Sequence, residues 1–396
     1  MDELEEFAAA LMDQLAVELN EEKEIGTLST KIKEDQNFTA AFEDLSTLSE
    51  KIFSQMTQKV SDFTGIQISP ELKLELSDLR DFKKLKAKKV FAIGDAADFV
   101  DGLFDAIATE NIKQITSLIE KDTTKFLVYS TYAKAYLSKI STTYGDFLDS
   151  TVYLNKFVLG RYPQIILYKG GPPYDAKFGI VNSGYTGALK MAVLEEQIHS
   201  IQTNLHEINK KAVSQVNALN ETLAKIILDL DDKTANNLSE YLQLEPVPDE
   251  FPTAKRANLF FALNPDNFIV NVLGPDVMTF TKVEIDPKIS DMVPQLLEIY
   301  QSWLKPIQSH HAVFTTTEGL AEFAVQNILN NDADFQNYLT TFASTDISSY
   351  QVRKSMGRDF TSSVFQKFGK KTYEILVQNP PNTRELKEPQ KYLNRV

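Results

Sequence analysis

The chain reads as an α+β protein that is predominantly α-helical. Three observations predict this: apolar residues recur at spacings of three and four through most of the 396 residues, alternation of apolar and polar residues is confined to short runs, and Pro and Gly gather beside those runs. The architecture expected is a long central helix, small β-hairpin regions and an N-terminal helical region.

Composition narrows the classes of function. A hydrophobic content of 43% and a charged content of 24% are ordinary for a globular protein of this size. The net charge of −14 argues against nucleic acid as the main partner, because neutralising phosphates needs a basic surface. The local exception is Lys83, Lys84, Lys86, Lys88 and Lys89, read as a solvated segment beside a strand. The absence of cysteine excludes disulfides, thiolate catalysis and Cys-based metal sites. With only His199, His206, His310 and His311 to supply imidazole, any metal site must lean on carboxylates. The N-terminus is acidic where a secretory signal would be basic, and no apolar run approaches membrane-spanning length. A cytoplasmic protein with no membrane partner is the expectation.

Taken in order, residues 1–64 carry amphipathic helical spacing, as in Leu4, Phe7, Leu11 and Leu15. Leu72, Leu74 and Leu76 alternate with Glu71, Lys73 and Glu75, which predicts one half-buried strand. Asp95–Ile107, Ile112–Ile119 and Thr124–Ile140 read as helical, and so does Ser141–Gly160, with Tyr144, Phe147, Leu148, Tyr153 and Phe157 facing a core. Ile165–Lys169 and Phe178–Val181, joined through Gly170-Gly171-Pro172-Pro173, predict a hairpin. A strand edge there could hold an extended peptide by β-addition, or the hairpin could simply cover a core. From Thr186 to Leu230 one helix is expected, with a buried stripe from Leu194 through Leu205, Val216 and Leu223, long enough to serve self-association. Asp231–Arg256 reads as a connection, Leu259–Leu263, Phe268–Leu273 and Val277–Ile285 as a second β-rich region, and Pro287–Ile307 as helix packing Trp303. Two domains are expected: 1–160, mainly helical, and 161–396, with an insertion at about 207–300.

The chemistry concentrates at Leu194-Glu195-Glu196-Gln197-Ile198-His199. Glu195 and His199 are four apart, so on a helix they project from one face and can hold a common ion. Glu196 sits beside them as a carboxylate able to take a proton from water, the geometry of a His-Glu-x-x-His helix with Glu in the first place. A Glu four residues before a His also occurs on many solvated helices. His206 continues the polar stripe of Glu195, His199 and Gln202, and is read as a surface or hydrogen-bonded residue more readily than as a ligand. Further on, Thr315 and Glu318 have capping-box spacing, which would place Glu318 in the first turn of a new helix with Glu322 on the same face.

Glu195-Glu196-Gln197-Ile198-His199 followed by Glu318-Gly319-Leu320-Ala321-Glu322-Phe323 resembles the gluzincin clan of zinc metallopeptidases. The tail from Asn379-Pro380-Pro381 to Pro389-Gln390-Lys391-Tyr392 is similar to a segment of some gluzincin-like bacterial and archaeal proteins. The likeness covers roughly Tyr185–Ile201 and Thr315–Leu393. It implies a zincin-like metallopeptidase core at 161–396, Glu195, His199 and Glu318 as metal ligands, Glu196 as general base, and a peptide or protein substrate. Two positions depart from the pattern: Glu195 stands where the clan has His, and Glu388 where the tail has His. A ligand set of two carboxylates and one imidazole suits Zn²⁺ and also Mn²⁺ or Fe²⁺. His310 and His311, with Tyr185 and Tyr350, are the candidates for a donor to the oxyanion. The contrasting expectation is an inactive peptidase-like protein kept for binding or scaffolding. A carboxylate-bridged di-metal bundle would need a second Glu-x-x-His, and the sequence has none.

Overall fold

The structure is a computed structural model. It describes residues 45–78, 109–129, 143–156, 176–248, 251–264, 281–341 and 349–396, with residues 5, 8, 9, 81, 82, 84, 85, 98, 99, 102, 103, 105, 106, 158 and 159. The elements are α1 (Leu45–Thr64), β1 (Lys73–Ser77), α2 (Ile112–Lys121), β2 (Gly145–Leu148), β3 (Thr151–Asn155), α3 (Ala176–Ser200), α4 (Thr203–Leu228), α5 (Asp232–Tyr241) and α6 (Pro252–Leu263). They continue with α7 (Pro287–Met292), α8 (Gln295–Leu329), α9 (Ala333–Thr341), α10 (Ser349–Phe368), α11 (Lys371–Gln378), α12 (Thr383–Lys387) and α13 (Pro389–Arg395). The described chain is therefore predominantly helical with one small sheet, and no helix among those residues is long and apolar enough to cross a membrane.

Contacts divide the chain into two compact units, each built from three stretches of the sequence. The first comprises Met1–Leu19, Ala87–Leu137 and Ile208–His311, the second Asn20–Lys86, Ser138–Glu207 and Ala312–Val396.

The first unit closes over an apolar cluster that includes Leu103, Ile115, Ile119, Phe126, Leu223, Phe260 and Leu296. Phe99 stacks edge-on against Phe126 and Tyr129, at ring separations of 5.8 and 5.3 Å. Leu259–Leu263 is not a strand but the end of α6, with Leu259, Phe260 and Leu263 buried from one helix surface. Five apolar residues in a row satisfy either period, and the missing evidence was the start signal, Pro252 in the first helical turn. Lys282–Ile285 form no strand; Phe268–Leu273 and the rest of that β-rich expectation lie outside the described residues.

In the second unit α1 buries Leu48, Ile52, Met56 and Val60, one side of the helix, and ends where Gly65 takes a left-handed φ of 75° and donates back to the carbonyl of Ser61. The predicted strand around Leu74 is β1, and it pairs parallel to β3 from Lys73↔Thr151 to Ser77↔Asn155. Gly145–Asn155 departs from the helical expectation. It is a hairpin, with β2 antiparallel to β3 through Asp149-Ser150, both at positive φ. That turn twists with the strands although it lacks the usual glycine. Phe147, Leu148 and Tyr153 satisfy helical and strand spacing alike, so only pairing within the sheet decides between them. Among the described residues the sheet order is β1-β3-β2, with β2 at an edge.

The hairpin expected from Ile165 to Val181 is not what lies before the Glu195 helix: Ala176–Val181 already belongs to α3, and Ile165–Lys169 is outside the described residues. Lys84 is the only described member of its lysine cluster. The helix expected from Thr186 to Leu230 is broken, α3 ending at Ser200 and α4 starting at Thr203. Its apolar stripe is used largely inside the chain, with Leu205, Ala212, Val216 and Leu223 buried. The capping box at Thr315 is also absent. α8 runs unbroken through that point with Pro306 inside it, and Thr316 returns its hydroxyl to the carbonyl of Ala312 at 2.8 Å, as a threonine within a helix does.

Candidate metal centre

α3 presents Glu195 and His199 from one side, and α8 presents Glu318. One atom from each of the three lies within 4.8 Å of the others, with His199 buried and the carboxylates half-buried. His199 Nε2 and Glu318 Oε1 are 3.9 Å apart. That is too far for a hydrogen bond but suits two ligands of one ion, which lie at most roughly 4.4 Å apart when each bond is about 2.2 Å. Ordinary side-chain rotation covers the remaining few tenths of an ångström.

The break between α3 and α4 orients the imidazole. Beyond Ser200 the Gln202 amide donates to the carbonyl of His199 at 3.1 Å, and His206 Nε2 donates to that same carbonyl at 2.8 Å. Gln202 thereby turns back over the ring. Its Nε2 donates to the carbonyl of Thr317, the residue before Glu318, at 3.1 Å, so its Oε1 faces His199 Nδ1 at 2.9 Å. An amide oxygen only accepts, so Nδ1 carries a proton, and in the neutral ring the Nε2 lone pair is the one facing Glu318. Gln202 belongs to the polar stripe visible in the sequence, but its task needs the helix to stop.

α10 adds a group that no motif foretold. A Cβ on Gly319 would come well under 3.0 Å from the backbone of Gly357, and one on Gly357 would do the same to the carbonyl of Thr315, so the two helices touch backbone to backbone. One turn before Gly357, Lys354 reaches the cluster. Its Nζ is hydrogen-bonded to Glu195 Oε1 and lies 3.7 Å from Glu322 Oε2, with the side chain only 10% exposed. Two carboxylates, Glu195 and Glu322, face one ammonium here, and Glu195 also stands within ligand distance of Glu318 and His199.

Glu196, also buried, turns toward the sheet. A Cβ on Gly145 would stand 3.1 Å from its Cγ, so β2 lies close against this side chain. Tyr338 of α9 joins from another direction. Burial first, then its hydrogen bond with Tyr144 and the charge of Glu195, push its hydroxyl well above the ordinary value, so it stays protonated. Neither tyrosine was singled out for this from the sequence, because α9 and the segment leading into β2 carry no spacing that announces it.

His310 and His311 lie within α8, not in a loop before a new helix, and belong to the first unit; His310 Nδ1 pairs with Asn209 Oδ1 at 2.7 Å. Tyr185 is buried in α3, and the Tyr350 side chain is outside the described ones. The tail is structural: Asn382 and Glu385 form a capping box on α12, and Tyr392, packed on Phe360 at 5.3 Å, donates to the carbonyl of Asn379 at 2.7 Å.

No protein-family model, curated protein or solved structure matches this chain.

Proposed function

We propose that the second unit is a metal-dependent hydrolase of peptide bonds, of the gluzincin type, with Glu195, His199 and Glu318 as the ligands of one ion. The observation that carries this reading is the convergence of those three side chains from α3 and α8, with His199 held by Gln202 in the tautomer a ligand needs. Zn²⁺ bound there, or Mn²⁺ or Fe²⁺ given the oxygen-rich set, supplies Lewis acidity toward a scissile carbonyl. Glu196 takes the proton of the attacking water and returns it to the leaving nitrogen as the C–N bond breaks. Tyr338, whose hydroxyl stays protonated and feels the charge of Glu195, joins His310 and His311 as a candidate donor to the oxyanion.

The edge strand suits an extended peptide or protein substrate. Asn155 donates to the carbonyl of Tyr144, so in the β2–β3 register the backbone groups of Gly145 and Phe147 face away from β3. The Phe147 amide is taken by Asp146 Oδ1 at 2.9 Å, and the carbonyls and the Gly145 amide are aligned for β-addition beside Glu196.

Protein purified without chelator should carry about one transition-metal ion per chain by elemental analysis. Glu196→Gln should keep the metal and lose peptide hydrolysis. One observation favours a second reading, a non-catalytic binding protein: the ion pair of Lys354 with Glu195 already sets a cation against one ligand. Protein that stays metal-free after incubation with Zn²⁺, Mn²⁺ or Fe²⁺ would establish that reading instead.

A further inference from the structure

We propose that Lys354 is a positioning residue that makes Glu195 act toward the metal as a neutral, single-atom donor, the electrostatic equivalent of the imidazole that a His-Glu-x-x-His helix carries there. The inference rests on the metal reading of the cluster and adds the device that lets a carboxylate occupy that place.

Lys354 Nζ is bonded to Glu195 Oε1, which leaves Oε2 as the oxygen with its lone pairs free for an ion. A carboxylate so engaged binds through one atom, and the Glu195–Lys354 pair has no net charge, as a neutral imidazole has none. The ammonium is confined between two carboxylates in a site that does not readily open. Its residue is 8% exposed, its second carboxylate, Glu322, is itself held by Gln326 Nε2 at 2.5 Å, and the contact of Gly319 with Gly357 prevents α10 from drawing away. Without Lys354 the ligand set would be two free carboxylates and one imidazole, more anionic and open to bidentate binding. That chemistry favours harder ions with higher coordination numbers, Mn²⁺ above all, over Zn²⁺. Lys354 thus sets metal selectivity through its hold on a ligand, without touching the ion.

The test is a competition titration of Zn²⁺ and Mn²⁺ against a chromophoric chelator, using the full chain. Lys354→Met should shift the ratio of the two affinities about tenfold toward Mn²⁺, the scale on which groups behind a ligand act. Lys354→Arg, which keeps charge and hydrogen bond, should retain the wild-type ratio. Glu195→His alone sets an imidazole against the ammonium and should lose most Zn²⁺ binding, whereas Glu195→His with Lys354→Met should regain it. This double variant keeps the pair neutral, so it remains informative if Lys354→Met alone folds poorly, and a thermal melt reports that. An unchanged ratio in Lys354→Met, or Zn²⁺ binding by Glu195→His that the second substitution does not improve, would overturn the role of Lys354 while leaving the metal site standing. A wild-type chain that binds neither ion would overturn the site and this inference together.

Discussion

The first unit surrounds Phe126, Leu223, Phe260 and Leu296 with other apolar side chains, whereas the second brings Glu196, His199, Gln202, Lys354 and a run of threonines, Thr315 to Thr317, into its interior. Apolar burial contributes stability without demanding direction. Buried polar groups stabilise nothing unless each finds a partner in the right place, so their concentration around α3, α8 and α10 marks a place where geometry is under a different constraint. The second unit meets that constraint by close backbone approach: Gly319 against Gly357, and Gly187 against the backbone of Asp334.

The largest effects should separate the two ways of packing. Gly319→Ala and Gly357→Ala each force apart two backbones that have no flexible end to yield, and should each cost about 3 kcal/mol or more in denaturant unfolding. Phe260→Ala, in the first unit, should cost a similar 3–5 kcal/mol by leaving a cavity. A loss below about 1 kcal/mol for either glycine variant would show that α8 and α10 part easily, and the contrast between the units would fail.

Next in size is the ion cluster that joins α3 to the start of α9. Lys190 Nζ lies 2.7 Å from Asp332 and 2.8 Å from Asp334, with Lys190 and Asp332 mostly buried, and Ser183 donates to Asp334 Oδ1 at 2.5 Å. Lys190→Met leaves two carboxylates facing each other without their cation and should cost about 3 kcal/mol. The cluster also sets a pH dependence. Burial pushes the Asp332 carboxyl up, but hydrogen bonds from Lys190 and from the amides of Phe335 and Asp334 outweigh it and hold the group below 3.8. Its contribution is complete above pH 3.8 and is lost as pH falls through the lower folded-state value. Burial pushes Lys190 down, and its bonds to Asp332 and Asp334 outweigh that, so its contribution is complete below pH 10.5 and is lost as pH rises through the higher folded value. Urea unfolding across pH should show both shoulders, and Lys190→Met should flatten them.

A third variant turns stability against binding. Glu318→Gln removes one of three clustered negative charges and should leave the metal-free protein within about 0.5 kcal/mol of wild type, or slightly more stable. Its affinity for Zn²⁺ should fall by at least about tenfold, since a ligand is lost. A marked loss of stability with unchanged metal uptake would identify Glu318 as a packing residue. Smallest are the helix caps, one in each unit: Asn111→Ala on α2 and Asn382→Ala on α12 should each cost about 1 kcal/mol, because each asparagine accepts from an amide in the first turn. Equal losses there would show that the units differ in their interiors and not in local helix chemistry.

Much of the helical content and the pairing of Glu195 with His199 could be read from the chain alone, because both depend on spacings of three and four, and those are properties of a local period. The strand at Leu74 was legible for the same reason, through its period of two. Gly145–Asn155 was not, since Phe147, Leu148 and Tyr153 fit both periods and only pairing within the sheet selects one. The end of α3 after His199 was hidden as well: the apolar stripe continues across it, and the break is held by Gln202 and His206 bonding to a single carbonyl.

What the sequence by itself determined is the predominance of helix and which residues could share a helix face. Only the tertiary structure decided that Glu318 faces His199, that Gln202 orients the ring, and that Lys354 lies on Glu195. The physical reason is range. Periodicity and capping act over one or two turns, whereas the meeting of α3, α8 and α10 depends on how closely two backbones approach at Gly319 and Gly357, a contact between residues that no local spacing relates.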